Sequence, residues 1–198
     1  MLSNVRALAG MCAGAIAIAS FIPYARSIRR GATRPNWISW AVWTVLGIVL
    51  FASYWASGAS DTLWIAFAYC FNPLAVCLLA YRYGFSRIEP LDWLCLGGAI
   101  VSLLVWRVSH NPAAALYCAV ATDGFGALPT IRKAYADPVS EDALAWRLTF
   151  LGSLLNLVAI DSWTPSRCIY PLYLVLCTGI IAGLLSWRRL MRFALRAR

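Results

Sequence analysis

Apolar residues recur along the chain in seven blocks, set apart by short stretches where arginine, aspartate, asparagine, proline and glycine collect. The blocks fall near residues 5–28, 36–57, 62–83, 92–109, 112–134, 141–161 and 169–188. Each is close to the ~20 apolar residues with which a helix crosses the hydrocarbon core of a bilayer. The pattern predicts seven helices. Several starts carry cap chemistry: Asn36 after Pro35, Asp61 before Thr62, Asp92, Asn111 before Pro112, and Ser140 before Glu141. A short polar side chain at such a position accepts from free amides of the first turn, and proline at the first helical position loses no helical hydrogen bond. The linkers are short, as between neighbouring helices of a bundle.

Composition removes the soluble alternative. Of 198 residues, 62% are hydrophobic and 13% charged, with mean hydropathy +0.70. Soluble domains carry about 25% charged and 45–50% apolar residues. Such an excess requires lipid to cover the outward faces of the helices. The expected class is an all-α membrane protein crossing the bilayer seven times, with almost no extramembrane domain. A cleaved signal peptide is the alternative for the first block, since Arg6, the apolar run to Ile22 and Ala17-Ile18-Ala19 resemble one. The repeat described below argues against it. The seven cysteines include no C-x-x-C pair, and most lie inside apolar blocks, where cysteine behaves as a small hydrophobe. Neither a disulfide framework nor a metal site is expected, and no cofactor.

The net charge of +9 comes almost wholly from arginine, Lys133 being the only lysine. The charges sit in clusters between apolar blocks rather than along one face or tail, which argues for topology and against nucleic acid. Arg26, Arg29, Arg30 and Arg34 lie in the first linker, Arg82 and Arg87 in the third, Arg132 and Lys133 in the fifth, and five arginines follow residue 187. The intervening linkers are poor in basic residues: the second has only Asp61, the sixth has Asp161 and Arg167, and Arg107 near the outer end of helix 4 is an exception to the pattern. The positive-inside rule then puts the N-terminus outside and the C-terminus in the cytoplasm, with the plasma (inner) membrane as the expected location. Tryptophan and tyrosine belts are expected at Trp37, Trp40, Trp93 and Trp187 on the inner side, and at Trp106, Trp163, Tyr170 and Tyr173 on the outer side.

The chain also repeats itself. Pro23 and Pro129 are separated by 129 − 23 = 106 residues, and the same offset relates Cys12 to Cys118, Arg26 to Arg132, Trp40 to Trp146, and Leu78, Leu79 and Arg82 to Leu184, Leu185 and Arg188. It maps helices 1–3 onto helices 5–7 and leaves helix 4 unmatched. Three crossings end opposite to where they began, and one linker helix returns the chain, so the two triplets run parallel. The expected organisation is a first triplet over 1–88, a linker helix over 89–110, and a second triplet with a short basic tail over 111–198.

Near the end of helix 1 stands IPYARSIRRG, followed by Pro35-Asn36 and a tryptophan-rich helix; near the end of helix 5 stands LPTIRKAYADP, followed by SEDALAW. A proline late in the first helix of each triplet, then a basic turn, resembles the PQ-loop superfamily, which includes the SWEET-like transporters and the KDEL receptor. Pro23-Tyr24 and Pro129-Thr130 keep the proline and lose the glutamine. The resemblance implies a 3+1+3 membrane fold. It also implies a transporter of a small polar solute such as a sugar or amino acid, working by alternating access. The KDEL receptor keeps open a non-transporting receptor or assembly subunit on the same fold. The expected partners are the bilayer and the solute, and homo-oligomerisation stays open.

Asp123 is the sharpest candidate. It lies inside an apolar block, where an acid at bilayer depth costs about 2.5–3.5 kcal/mol. It is read either as a proton- or substrate-binding group or as half of a structural ion pair, with Arg147 on the next helix as the candidate partner; Arg147 alternatively snorkels to the interface. Pro23 and Pro129 are candidate hinges, or static kinks, because proline removes a backbone donor and bends a helix. Asn72, before Pro73, and Asn156 are amides within helices, fitted to line a cavity or to join helices. In the SWEET-like proteins a tryptophan late in the second helix of a triplet and an asparagine in the third contact sugar. Trp55 and Asn72 have that placing here, Trp55 being read alternatively as an outer-interface belt residue; in the second half Trp163 is roughly placed and Thr178 stands where Asn72 does. The only histidine, His110, lies in a linker, and the chain has no H-E-x-x-H, phosphate loop or nucleophile elbow, so no enzyme is expected. A retinal pump is disfavoured because helix 7 has no lysine. Reporter fusions check the topology: a C-terminal fusion should report the cytoplasm, and an external signal there rejects the arrangement.

Overall fold

The computed structural model of the chain describes residues 2–33, 35, 37–84, 90–139 and 141–196. Their regular elements are helices: α1 (Leu2–Arg29), α2 (Trp37–Ala56), α3 (Leu63–Tyr83), α4 (Pro90–Ser109), α5 (Pro112–Ala136), α6 (Ala143–Val158) and α7 (Pro165–Arg196). Four of them are long and apolar enough to cross a membrane, over Asn4–Arg29, Leu63–Tyr83, Ala113–Ala136 and Pro165–Trp187, and α2 and α6 contain shorter apolar helices.

Local chemistry sets the ends. Asn111 Oδ1 accepts from Ala113 N and Ala114 N at 3.0 and 3.3 Å, with Pro112 opening α5 as expected. The start of α6 departs from expectation, because Asp142 is the cap: its Oδ1 accepts from Ala145 N at 2.9 Å. Ser140 and Asn36 lie outside the described residues. Thr62, not Asp61, precedes α3, and makes no side-chain cap bond. At α4 the helix opens on Pro90, ahead of Asp92. α7 begins at Pro165, four residues before the expected 169, and runs on into the basic tail to Arg196. Gly31 (φ 70°) and Gly58 (φ 81°) stop α1 and α2 in the same way. Each glycine amide bonds the carbonyl three residues back, and the next amide reaches five back. Left-handed backbone at these positions favours glycine.

α3 packs against both α1 and α2, and α7 against both α5 and α6. α1 lies on α6, α2 lies on α5, and α4 packs on α5 and α2. The interior combines aliphatic side chains such as Leu46, Ile65, Leu116 and Leu174 with buried polar ones, Ser20, Ser53, Ser153, Asn156 and Thr178. Large apolar side chains face outward instead: Leu8, Ile48, Leu78 and Phe125 are each more than half exposed. Trp93, Trp163 and Trp187 are exposed, whereas Trp40, expected in the inner belt, is partly buried and packs on Tyr24. Tyr170 is not in a belt: it is fully buried in the core, and Tyr173 is partly buried beside it. The side chains of Trp37 and Trp106 lie outside the described set.

Small residues let α1 and α6 approach closely. A Cβ at Gly152 would stand 2.9 Å from the Ala13 carbonyl oxygen and 3.4 Å from Ala17 N. Gly152→Ala should therefore lower stability by about 1–3 kcal/mol through overpacking. Gly183→Ala, with nothing within 4 Å of its Cβ, should leave stability unchanged or raise it by up to ~1 kcal/mol from helix propensity. Thermal unfolding of both variants in detergent checks the pair.

Candidate functional site

A cavity of about 120 Å³ opens among α1, α2, α3, α5, α6 and α7. Helical spacing brings its lining together. On α3, Tyr69, Asn72, Pro73 and Val76 share a face. On α7 the stripe is Tyr170, Tyr173, Leu174, Cys177, Thr178 and Ile181. α2 presents Trp40, Trp43, Leu46 and Gly47, and Gly47 lets the α3 backbone approach, since a Cβ there would meet Tyr69 O at 2.5 Å.

Three of the residues singled out in the sequence meet at this cavity: Asn72, Asp123 and Thr178. Asp123 is the only charged residue among the described lining residues. The Tyr173 hydroxyl lies beside its carboxylate, and Tyr69 and Tyr170 lie close enough to interact with its charge. Asn72 is divided in its role: Nδ2 donates to the Ala17 carbonyl at 2.7 Å, tying α3 to α1, while Oδ1 accepts from no donor among the described residues. Tyr170 Oη likewise has no hydrogen-bond partner among the described residues. Thr178 Oγ1 donates to Leu174 O at 2.6 Å and lies 3.5 Å from Ser153 Oγ, which Tyr69 Oη approaches at 3.4 Å. Thr149 Oγ1 donates to Ser20 Oγ at 3.0 Å, joining α6 to α1 at the cavity wall.

The other candidates lie elsewhere. Trp55 and Trp163 are 64% and 66% exposed and line no part of the cavity, because the ends of α2 and of the α6–α7 linker turn them outward. Asn156 is fully buried and lines no part of the cavity, and neither atom of its amide has a hydrogen-bond partner among the described residues. Arg147 is exposed and its Nε donates to Ser186 Oγ at 3.2 Å, so the structure does not pair it with Asp123. Pro23 lies inside α1, partly buried and off the cavity. α5 continues through position 129, and the side chain of Pro129 lies outside the described set.

Two ion-pair clusters, which the sequence reading did not single out, stand at opposite ends of α6. At one end Lys133 Nζ meets Glu141 Oε1 at 2.8 Å, while Trp146 Nε1 and Tyr24 Oη donate to Glu141 Oε2 at 3.1 and 3.4 Å. Tyr24 and Trp146 are themselves cavity walls. At the other end Arg167 Nη1 meets Asp161 Oδ2 at 2.8 Å, Arg6 reaches the Asp161 carbonyl at 3.3 Å, and Arg167 Nη2 reaches the Ser57 carbonyl at 3.4 Å. The Tyr54 hydroxyl donates to the Arg167 carbonyl, and its ring lies edge-on to Tyr170, 5.7 Å between centroids. Glu141 thus stands directly behind the wall residues Tyr24 and Trp146, and Arg167 one side chain further back, behind Tyr54 and Tyr170. Glu141 carries no sequence signal beyond its place in SEDALAW; Tyr69 stands at helical spacing three residues before Asn72, and Tyr173 four residues before Cys177.

Comparison of the chain with protein-family models, curated proteins and solved structures gave no match.

Glu141→Gln should destabilise by about 1–3 kcal/mol, since it removes the charge that Lys133, Trp146 and Tyr24 converge on. Coupling between Glu141 and Lys133, read from a Glu141→Gln/Lys133→Met cycle by thermal unfolding, should be only about 1 kcal/mol, because Lys133 is 36% exposed.

Proposed function

We propose that this chain is an integral membrane transporter of a small polar solute, working by alternating access between two three-helix bundles. The observation that carries the reading is the cavity on Asp123, Asn72 and Thr178, walled by helices from both halves of the chain. Polar groups of this kind inside an apolar bundle are costly unless something polar is met there. The outward-facing aliphatic side chains and the four long apolar helices support insertion in a bilayer.

The helix contacts support the 3+1+3 arrangement. Exchanging α1, α2, α3 for α5, α6, α7 turns the α1–α3 contact into α5–α7, α2–α3 into α6–α7, and α1–α6 into α5–α2, and all of these contacts are present. α4, the linker, packs on the outside against α5 and α2. This agrees with the resemblance to the PQ-loop and SWEET-like proteins; the external N-terminus and cytoplasmic C-terminus rest on the distribution of arginines. The Glu141 and Asp161 clusters then act as the two gates. The first joins α1, α5 and α6 and the second ties the α6–α7 linker to α1 and α2, so that one opens while the other holds.

Transport in this reading is linked to protons through Asp123. A carboxylate among apolar walls is disfavoured when charged and unpartnered, and proton binding relieves that cost. Uptake by proteoliposomes of sugars, amino acids and other polar metabolites tests the proposal. Flux of at least one solute should depend on the pH gradient, and Asp123→Asn should abolish that dependence while keeping thermal stability within about 1 kcal/mol of the parent, as expected where no ion pair is broken. An Asp123→Asn protein with full gradient dependence removes Asp123 as the coupling group, and absence of flux for every solute removes the transporter.

A further inference from the structure

We infer that the solute is a small organic cation, an amine or ammonium compound without a carboxylate, held by Asp123 inside an aromatic box. This deepens the transport reading, but the binding claim stands on the cavity alone. Among the described lining residues Asp123 is the one formal charge, and no lysine, arginine or histidine lies opposite it. An anionic or zwitterionic solute would bring a carboxylate into apolar walls with no cation to meet it, whereas an ammonium group meets the one charge present.

The walls fit the same chemistry. Tyr24, Trp40 and Trp43 form a continuous aromatic side, with ring centroids 5.4 Å apart for Tyr24–Trp40 and 4.9 Å for Trp40–Trp43. Tyr69 and Tyr170, 6.2 Å apart, and Tyr173 add a second aromatic side. Aromatic faces attract alkylammonium ions through the ring quadrupole, most strongly where water is excluded. The volume limits the ligand: a cavity of about 150 Å³ takes benzene, so about 120 Å³ suits a compound of roughly five heavy atoms, such as tetramethylammonium.

One carboxylate then serves two ligands. A proton on Asp123 removes the charge that holds the cation, and a bound cation excludes the proton, so a monovalent cation and a proton exchange one for one without net movement of charge. The titratable groups facing Asp123 are Tyr173 and Cys177 of α7 and Tyr69 of α3, with Tyr170 also close. The described cavity residues of α2 are tryptophans, leucines and a glycine, which do not titrate.

The test is titration of the full chain in detergent, followed by intrinsic tryptophan fluorescence. The probes are tetramethylammonium chloride, ionic-strength-matched sodium chloride, tert-butanol as a neutral compound of similar size, glucose and glycine. Tetramethylammonium should give a saturable change that the others do not. Its affinity should fall about tenfold per pH unit once the carboxylate is protonated, as linkage between one proton and one cation requires. Asp123→Asn should lose the response, and Trp43→Leu should weaken it about three- to thirtyfold. An equal response to tert-butanol, binding of glucose or glycine with none of the cation, or a cation affinity independent of pH overturns the inference. These measurements on the unaltered chain decide it even where Asp123→Asn fails to fold. Cation binding without flux in proteoliposomes upholds the inference and removes the transporter reading; flux of a neutral sugar without cation binding does the reverse.

Discussion

The approach of α1 to α6 at Ala13, Ala17 and Gly152 is the contact on which the remaining geometry hangs. Backbone meets backbone there, with no room for a single added carbon at position 152. Small side chains do this work where the helices have no amphipathic stripe to drive them together, because dispersion and close backbone contact then supply the attraction. With that seam drawn tight, Asn72 reaches the Ala17 carbonyl and Thr149 reaches Ser20, so α3 and α6 are both fixed to α1 through hydrogen bonds rather than bulk. The volume that small residues leave out of this seam reappears across the bundle, where Trp40, Trp43, Tyr69 and Tyr173 hold helices apart around the cavity.

Polarity follows from the same arrangement. Serine and threonine hydroxyls inside the bundle mostly bond back to carbonyls of their own helix: Ser20 to Ala17, Thr44 to Trp40, Thr178 to Leu174 and Ser186 to Ala182. A hydroxyl satisfied this way adds little cost to an apolar interior and stays available for a second, weaker contact. Asn72 Oδ1, Tyr170 Oη and the Asn156 amide are not satisfied so locally. The first two belong to residues lining the cavity, and they supply hydrogen-bonding capacity that the protein does not consume itself.

Hydropathy made the number and extent of the helices legible, because each apolar block is long and its linkers are short. Orientation about each helix axis was not legible in the same way. A helix that is apolar all round offers no polar face from which to read an inward side. Asp123, Asn72 and Thr178 were found because a polar group inside an apolar block is visible in one dimension. The place of Tyr170 and Tyr173 near a helix end predicts a surface belt, where amphipathic rings often sit at an interface; packing against Tyr54 and Tyr69 instead draws Tyr170 into the core. Trp55 was matched by position along its helix alone, and rotation carries it to the outside. The Asp142 cap displaced Ser140 for a similar reason: either short polar residue can start a helix, and the burial of Glu141 against Lys133 and Trp146 selects the later one.

The single carboxylate follows from the way two related positions are used. Asp123 and Ala17 stand 123 − 17 = 106 residues apart, and Gly152 and Leu46 stand 152 − 46 = 106 apart. The seam between α1 and α6 therefore pairs Ala17 with Gly152, while the seam between α5 and α2 has Asp123 and Leu46 at the corresponding places. At the first seam, a Cβ on Gly152 would already touch the Ala17 side chain at 3.6 Å, and Ala17 is fully buried, so a carboxylate has no space there. At the second, the larger Leu46 stands where glycine stands in the first, and both Leu46 and Asp123 line the cavity. One seam is built for contact and the other for space. An acid is compatible with only one of them, which is why the charge, and the chemistry it can support, belongs to the second half of the chain alone.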